Sequence, residues 1–323
     1  MRQVLLNPLS GYYMHSDVFG RQGDFITSPE ISQMFGELAG IWYLTEWMRL
    51  GKPNKTQIVE LGPGRGTLMS DMLRAMSRFP YFYETITGVH LLEASPTLRK
   101  VQQKTLTAGD GQEALESATR PDGIKVHWHD GIEFVPQGWS FMMAHEFFDA
   151  LAIHSFAKTE EGWRELLIDR DDTDETWNVS KQMAQIVQEN GGTGLIIDYG
   201  QDYAQGDTLR AIRKHEIVHP MTDPGSADLS ADVDFCALRR AMQESVDVYG
   251  PITQRRFLQS LGIETRLQVL LKNAKSAESR TNIAQGYQRL VDPAMMGRIY
   301  KVMAFSQKSE ANKPVGYEED TTA

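Results

Sequence analysis

The chain has 323 residues, 41% hydrophobic and 24% charged, with a net charge of −10 and a pI near 5.3. That length and apolar content bury one large α/β core and exclude a wholly disordered chain, and the acidic balance disfavours phosphate backbones, hence a nucleic-acid partner. A single cysteine, Cys236, excludes an internal disulfide and a cysteine metal cluster, and no apolar run approaches the ~20 residues that span a bilayer.

Residues 1–10 carry one Arg and a short apolar patch. They lack the long Arg- and Ser-rich stretch of an organelle transit peptide, which reads as a cytosolic protein or a chain whose targeting segment lies elsewhere. Residues 7–30, rich in Gly, Tyr and Asp, read as turns and extended pieces. Ser28 then caps a helix with Pro29 at its first position. Ile31, Met34, Phe35, Leu38, Ile41, Trp42 and Leu44 recur at helical spacing, carrying it to about Leu50, where Gly51 and Pro53 stop it. Residues 57–61 read as a buried strand, followed by a glycine-rich turn and a helix over 67–79. A strand over 86–93 and a helix over 95–106 follow, then a surface loop over 108–122. Strands are expected over 125–129 and 139–144, the second opening into Glu146-Phe147-Phe148-Asp149. This alternation argues a parallel sheet with helices on both faces.

Beyond it, segments 154–158 and 163–169 read as a hairpin around Glu160-Glu161-Gly162, 180–190 as a helix and 194–198 as another core strand. Residues 215–234, rich in proline and aspartate, read as a long functional loop or lid. Segments 257–274 and 292–300 look helical, and the polar stretch 306–323 reads as a frayed tail. No internal repeat or linker is visible, so a single domain with insertions is expected.

The motif Glu60-Leu61-Gly62-Pro63-Gly64-Arg65-Gly66-Thr67 sits between a strand and a helix. Glycine lets the backbone turn tightly and a ligand approach closely, and the helix that follows offers free N–H groups and a positive dipole end. A dinucleotide loop wants G-x-G-x-x-G; here the third glycine comes one residue early, which speaks against a nicotinamide-dependent oxidoreductase. The G-x-G-x-G form after an acidic strand residue resembles the first motif of class I methyltransferases. In that frame Glu60 faces the cationic amino end of the cofactor's methionine part. Glu93, closing the next strand, accepts from both ribose hydroxyls, and Asp130 meets the adenine amino group. The competing reading is a structural turn with surface carboxylates.

Glu146 and Asp149 follow the fourth strand, where open α/β sheets place ligands. Arginine is a poor nucleophile because its guanidinium is protonated and delocalised. A carboxylate pair grips the N–H fork, concentrates electron density on one nitrogen and stabilises the charge that develops as a methyl moves across. A helix cap is the alternative for Asp149. His145-Glu146 begins like H-E-x-x-H, but the fifth residue is Asp149, so no zinc pair forms. His127 and His129 share a strand face and read as packing; no metal site is expected.

Several segments together resemble the MidA family of mitochondrial arginine methyltransferases, which act as assembly factors for respiratory complex I. They are residues 23–32, the loop from Glu60 to Gly66, His145-Glu146-Phe147-Phe148-Asp149-Ala150-Leu151, Asp198-Tyr199-Gly200 and residues 228–235, a likeness running over about residues 7–271. The resemblance implies a class I S-adenosylmethionine-dependent methyltransferase (Rossmann-like) fold with inserted substrate-side elements. It divides the chain into residues 1–55, a segment and helix contributing to the cofactor pocket, 56–305, the methyltransferase domain with its hairpin and long loop, and 306–323, a flexible tail. It implies S-adenosyl-L-methionine as methyl donor and symmetric dimethylation of an arginine on a core subunit of complex I (NADH:ubiquinone oxidoreductase), in the mitochondrial matrix. It also suggests that Phe25, Thr27 and Glu30 help form the cofactor pocket. The loop 219–234 becomes a substrate-side wall, with His219, Asp223 and Asp232 as candidate polar contacts. Family members usually begin with a targeting segment and a helix ahead of the Asn7 region, and residues 1–6 are expected to hold neither. The alternative function is a complex I assembly chaperone that keeps the fold without catalysis.

Overall fold

The computed structural model describes residues 1–7, 9–15, 27–107, 116–153, 156–160, 162–165, 175–213, 216–309 and 311–318. Its centre is a parallel sheet. β1 (Thr56–Leu61) lies between β2 (Ile86–Leu92) and β5 (Ser140–His145), with β4 (Lys125–His129) beyond β2 and β8 (Gly192–Gln201) beyond β5, all parallel. The short β3 (Ser117–Thr119) pairs antiparallel with β4 inside the segment expected to be only a loop; residues 108–115 of that segment lie outside the described residues. At the other edge, β14 (Tyr300–Ser306) runs antiparallel between β8 and β13 (Asp247–Thr253). The resulting order β4-β2-β1-β5-β8-β14-β13, with one reversed strand next to the last, bears out the expected class I methyltransferase architecture.

The inner strands read as continuous apolar runs because both faces are covered. Ile58, Phe141, Leu195 and Val302 pack on one side with Trp42 and Tyr43; Val59, Met142, Ile196 and Met303 pack on the other with Phe235. The long helix Gln33–Arg49 lies against the helix Thr67–Met76, and the contact is possible only because Gly36 and Gly40 lack side chains. A Cβ on Gly36 would sit 2.6 Å from Asp71 Cβ, and one on Gly40 would sit 2.9 Å from the Met72 carbonyl oxygen.

Several expectations are corrected. The helix expected to run from Ser28 to about Leu50 is broken. A single turn, Ser28–Ile31, ends where Ser32 becomes extended (φ −161°), and the Ser32 hydroxyl caps the long helix by accepting from Met34 N at 3.3 Å. Serine bonds its own following backbone readily, so apolar spacing alone misses such a break. The region 215–234 is not a structureless lid. It supplies β10 (Glu216–Val218) and β11 (Asp228–Ser230), which flank β9 (Arg210–Arg213), and β12 (Val233–Asp234), which extends β8. The helix expected over 257–274 is two, Gln254–Ser260 and Ile263–Asn273, separated by Gly262 in a left-handed conformation. The helix Ala277–Val291 was not foreseen. The described part of the tail is not frayed: Ser306 completes β14, and Tyr317 is buried with its hydroxyl donating to the Val302 carbonyl at 3.0 Å.

The hairpin is present as β6 (Phe156–Thr159) and β7 (Gly162–Glu165), paired antiparallel. Ahead of Asn7, where no helix was expected, Arg2–Leu6 is helical, and so is Tyr12–His15 within the stretch expected to hold only turns and extended pieces; a small third core, in which Leu5 and Tyr12 meet Ala211, Ala227 and Leu229, lays them over the β9–β11 sheet. Among the described residues no helix is long and apolar enough to cross a membrane.

Candidate active site

The glycine loop leaves β1 at the centre of the sheet. Gly62, Gly64 and Gly66 have φ of 63°, 53° and 79°, the left-handed region that disfavours a side chain. Gly62 is doubly constrained, because a Cβ there would lie 2.9 Å from the Phe147 ring. Gly62 and Gly64 line a cavity of about 380 Å³ beyond the strand ends; Gly66 does not line it and instead starts the helix Thr67–Met76. Beneath the loop, Glu60 is 2% exposed, its Oε2 has no hydrogen-bond partner, and burial pushes its pKa up to about 8.

Glu93 lines the same cavity. Its Oε1 accepts from Ser95 N at 2.8 Å and its Oε2 from Gln102 Nε2 at 3.0 Å, and burial raises its pKa to about 7 against those opposing bonds. The same Gln102 nitrogen donates to the Gly64 carbonyl at 2.7 Å, tying the glycine loop to Glu93. Asp130 stands apart, with its side chain 79% exposed and paired to Arg99 at 2.5 Å.

On the far side of the cavity, β5 ends in His145 and the chain turns sharply at Glu146, a non-glycine residue at φ 49°. Burial, then the nearby Asp149, push the Glu146 carboxyl up to about 8, although Tyr300 and the Ser28 backbone bond its charged form. Burial likewise raises Asp149 to about 6, opposed by the Tyr199 hydroxyl that donates to its Oδ2 and by the charge of Arg210. Glu146 Oε1 and Asp149 Oδ1 are both buried without a hydrogen-bond partner. His145 Nε2 lies 3.5 Å from Glu146 Oε1, but burial drops the histidine to about 3 and leaves it neutral.

The acidic segment is fixed from β8. Asp198 Oδ2 accepts from Phe148 N at 3.1 Å and Asp149 N at 3.2 Å, and its Oδ1 accepts from Tyr199 N at 2.9 Å. A 3₁₀ turn, Phe148–Ala150, follows, so Asp149 does not cap an α-helix.

The structure therefore gathers Gly62, Gly64, Glu93, Glu146 and Asp149 around one cavity. Glu30 does not line it but lies 3.8 Å from Arg65 of the glycine loop, and Thr27 precedes the turn Ser28–Ile31, whose backbone reaches Glu146. Phe25 lies outside the described residues. His219 is exposed, with its Nδ1 accepting from Met221 N at 3.2 Å; Asp223 is 72% exposed and 3.7 Å from Arg213. Asp232 does not line the cavity either, but pairs at 2.7 Å with Arg210, which does.

Sequence reasoning gave no role to Tyr13, Arg210 and Tyr300 and marked Asp228 only as part of the substrate-side wall; all four line the cavity. Asp228 accepts from the Tyr13 hydroxyl at 2.6 Å. For Asp198 and Tyr199 the signal was the Asp-Tyr-Gly run closing a core strand. Arg210 and Asp228 come from short strands and Tyr13 from a terminal segment, with no periodicity to mark them, and Tyr300 opens a strand whose apolar residues blend with the helical turn before it. His127 and His129 stack with His90 as packing groups, and among the described residues no cluster of His, Cys, Asp and Glu has the makings of a metal site.

A sheet in this strand order, with a side-chain-free cradle and an acid at the end of the neighbouring strand, defines an S-adenosylmethionine-dependent methyltransferase fold. The family model described as a putative S-adenosyl-L-methionine-dependent methyltransferase matches residues 38–184 and 173–252, and the chain belongs to that family. Among curated relatives, the mitochondrial protein arginine methyltransferase NDUFAF7 of Xenopus laevis is 41% identical, over 93% of this chain and 78% of its own. The human protein of the same name is 39% identical, over 94% and 78%. Among solved structures, a Burkholderia thailandensis protein crystallised with S-adenosyl-homocysteine superposes with a TM-score of 0.78 at 24% identity, covering 98% of this chain and 88% of that one.

The residues present fit such a cofactor. Gly62 leaves open a space that a Cβ would take up against Phe147, Glu93 faces the cavity, and Glu60, beneath the loop rather than in the cavity lining, keeps an oxygen without a partner that a ligand's ammonium would satisfy directly or through water.

Proposed function

We propose that the protein transfers a methyl group from S-adenosyl-L-methionine to an arginine side chain of another protein. The observation that carries this reading is the pair of buried, unpartnered oxygens, Glu146 Oε1 and Asp149 Oδ1, in the cavity that the glycine loop also lines. Buried polar atoms without partners are costly, and a planar cation with several N–H donors is the group that satisfies two at once. A scaffold that only held a partner would gain nothing from them, which disfavours the non-catalytic chaperone.

In this reading the bound cofactor supplies an electrophilic methyl on a positively charged sulfur. Glu93 holds its ribose, and Glu60 accepts from its amino group, directly or through water. Asp149, kept in place by Asp198 and Tyr199, fixes the guanidinium plane. Glu146 Oε1 grips the nitrogen that attacks and takes the proton that must leave as the N–C bond forms and the S–C bond breaks. A carboxyl near 8 suits that proton transfer at neutral pH.

The relatives' names support arginine methylation and a mitochondrial location, and the MidA resemblance supports the finer reading: symmetric dimethylation, a core subunit of complex I as substrate, and a matrix location. The test is incubation with labelled S-adenosyl-L-methionine and mitochondrial extract, mapping the label by mass spectrometry. Label on a single arginine as symmetric dimethylarginine is the expected result; label on lysine or glutamine without arginine overturns the assignment.

A further inference from the structure

The guanidinium of Arg210 lies along the same cavity wall as the unpartnered carboxyls. It stacks over the Tyr199 ring at 4.8 Å, the ring whose hydroxyl is bonded to Asp149, and its charge is felt by Asp149. Yet neither Glu146 Oε1 nor Asp149 Oδ1 has a partner. A cation with a planar donor fork beside two buried acceptors is drawn to them, so something holds it away. Tyr199 bonds it from one side, and the charged group that holds it is Asp232: Arg210 Nη2 donates to its Oδ1 at 2.7 Å, and Arg210 Nη1 donates to the Thr208 carbonyl at 3.3 Å. Asp232 is itself braced, with its Oδ2 accepting from Gln205 Nε2 at 2.7 Å and its N–H donating to Thr208 Oγ1 at 3.1 Å.

We infer that Asp232 is a positioning residue that clasps Arg210 and so keeps the chain's own guanidinium off the carboxyls meant for the substrate's. The inference rests on the proposed arginine substrate and adds what keeps that site open. Without the clasp, Arg210 is a tethered competitor at an effective concentration no free substrate matches. Asp232 acts through Arg210 and touches neither substrate nor cofactor.

The test compares wild type, Asp232→Asn, Arg210→Gln and the double variant. Ethylguanidinium binding is followed by ligand-observed NMR, and S-adenosyl-homocysteine binding by calorimetry as a check that each variant is folded. Asp232→Asn is expected to weaken ethylguanidinium by roughly tenfold, the effect of a competing contact worth about 1.4 kcal/mol. Arg210→Gln should bind more tightly than wild type. The double variant should bind like Arg210→Gln, because the competitor is gone, while S-adenosyl-homocysteine affinity stays unchanged throughout. A double variant as weak as Asp232→Asn overturns the clasp, since Asp232 would then act directly or on the fold. Loss of binding in Arg210→Gln alone overturns it too, making Arg210 part of the guest's own site. If wild type binds S-adenosyl-homocysteine but not ethylguanidinium, the arginine-substrate reading fails and the clasp falls with it.

Discussion

Glu146 is placed at a cost in stability, and that cost has a distinctive pH dependence. Burial raises its pKa from the ordinary 4.5 to about 8, so folding favours the protonated acid. Below pH 4.5 the folded and unfolded chains both hold the proton, and the group adds no pH-dependent term. Above it the unfolded chain ionises first. Stability then falls by about 1.4 kcal/mol per pH unit until the folded chain ionises near pH 8. The loss reaches about 3 kcal/mol at pH 7 and levels off near 5 kcal/mol at pH 9. Glu146→Gln cannot ionise, so its stability relative to wild type should trace the same curve with the opposite sign, above any constant offset from the amide. Urea unfolding of both proteins at pH 4, 5.5, 7 and 9 measures this directly. A difference that stays flat between pH 4.5 and 8 would show that the carboxyl is not held in its protonated form and would refute the argument.

Three other outcomes follow from the geometry. Gly62→Ala forces a side chain into a left-handed backbone at a cost of about 1–2 kcal/mol and against the Phe147 ring; cofactor affinity by calorimetry should fall, and an unchanged value would show that the cradle is not the binding surface. Glu93→Gln replaces charge-assisted bonds worth about 1.5–3 kcal/mol each, so S-adenosyl-homocysteine binding at pH 8 should weaken by at least tenfold; equal affinity would remove Glu93 from the ribose site. Tyr199→Phe deletes the hydroxyl that lowers the Asp149 pKa, so the acid limb of the kcat/KM profile should move to higher pH, and an unmoved limb would separate Asp149 from that step.

The cofactor half of the site was legible in the sequence because each part of it is local. Gly62, Gly64 and Gly66 mark a turn, and Glu93 marks a strand end, so spacing within one strand-turn-helix-strand run carries the information. Glu146 and Asp149 were visible for the same reason. The wall opposite was legible only as a family resemblance over residues 219–234, and Arg210 and Tyr300 not at all, because these residues and Asp228 meet only through pairings distant in sequence: β9 with β11, and β14 inserted between β8 and β13. Strands as short as Asp228–Ser230 carry no usable alternation. β14 was missed although long, because Tyr300–Ser306 follows directly on the turn Met296–Ile299 and its apolar residues blend with the helical spacing before it. Ser32 shows the opposite failure: a clean helical stripe ran across a break that one hydroxyl decides.

These features meet in a single electrostatic argument. Glu146 and Asp149 line the cavity, Glu60 and Asp198 are buried without lining it, and desolvation is the leading cause of every upward shift among them. A cavity whose carboxyls are held toward the protonated form is suited to receive cations, because each one that enters restores a carboxylate. The donor carries a positive sulfur, and its demethylated product does not. At pH 7, binding of S-adenosyl-L-methionine should therefore release more protons than binding of S-adenosyl-homocysteine, by a sizeable fraction of a proton. The excess should vanish above pH 9, where the folded carboxyls are already ionised. Calorimetric titrations in buffers of differing ionisation enthalpy read the proton count for each ligand. Equal counts at pH 7 would place the sulfur away from Glu60 and Glu146, and the cavity would then have to bind its donor in another orientation.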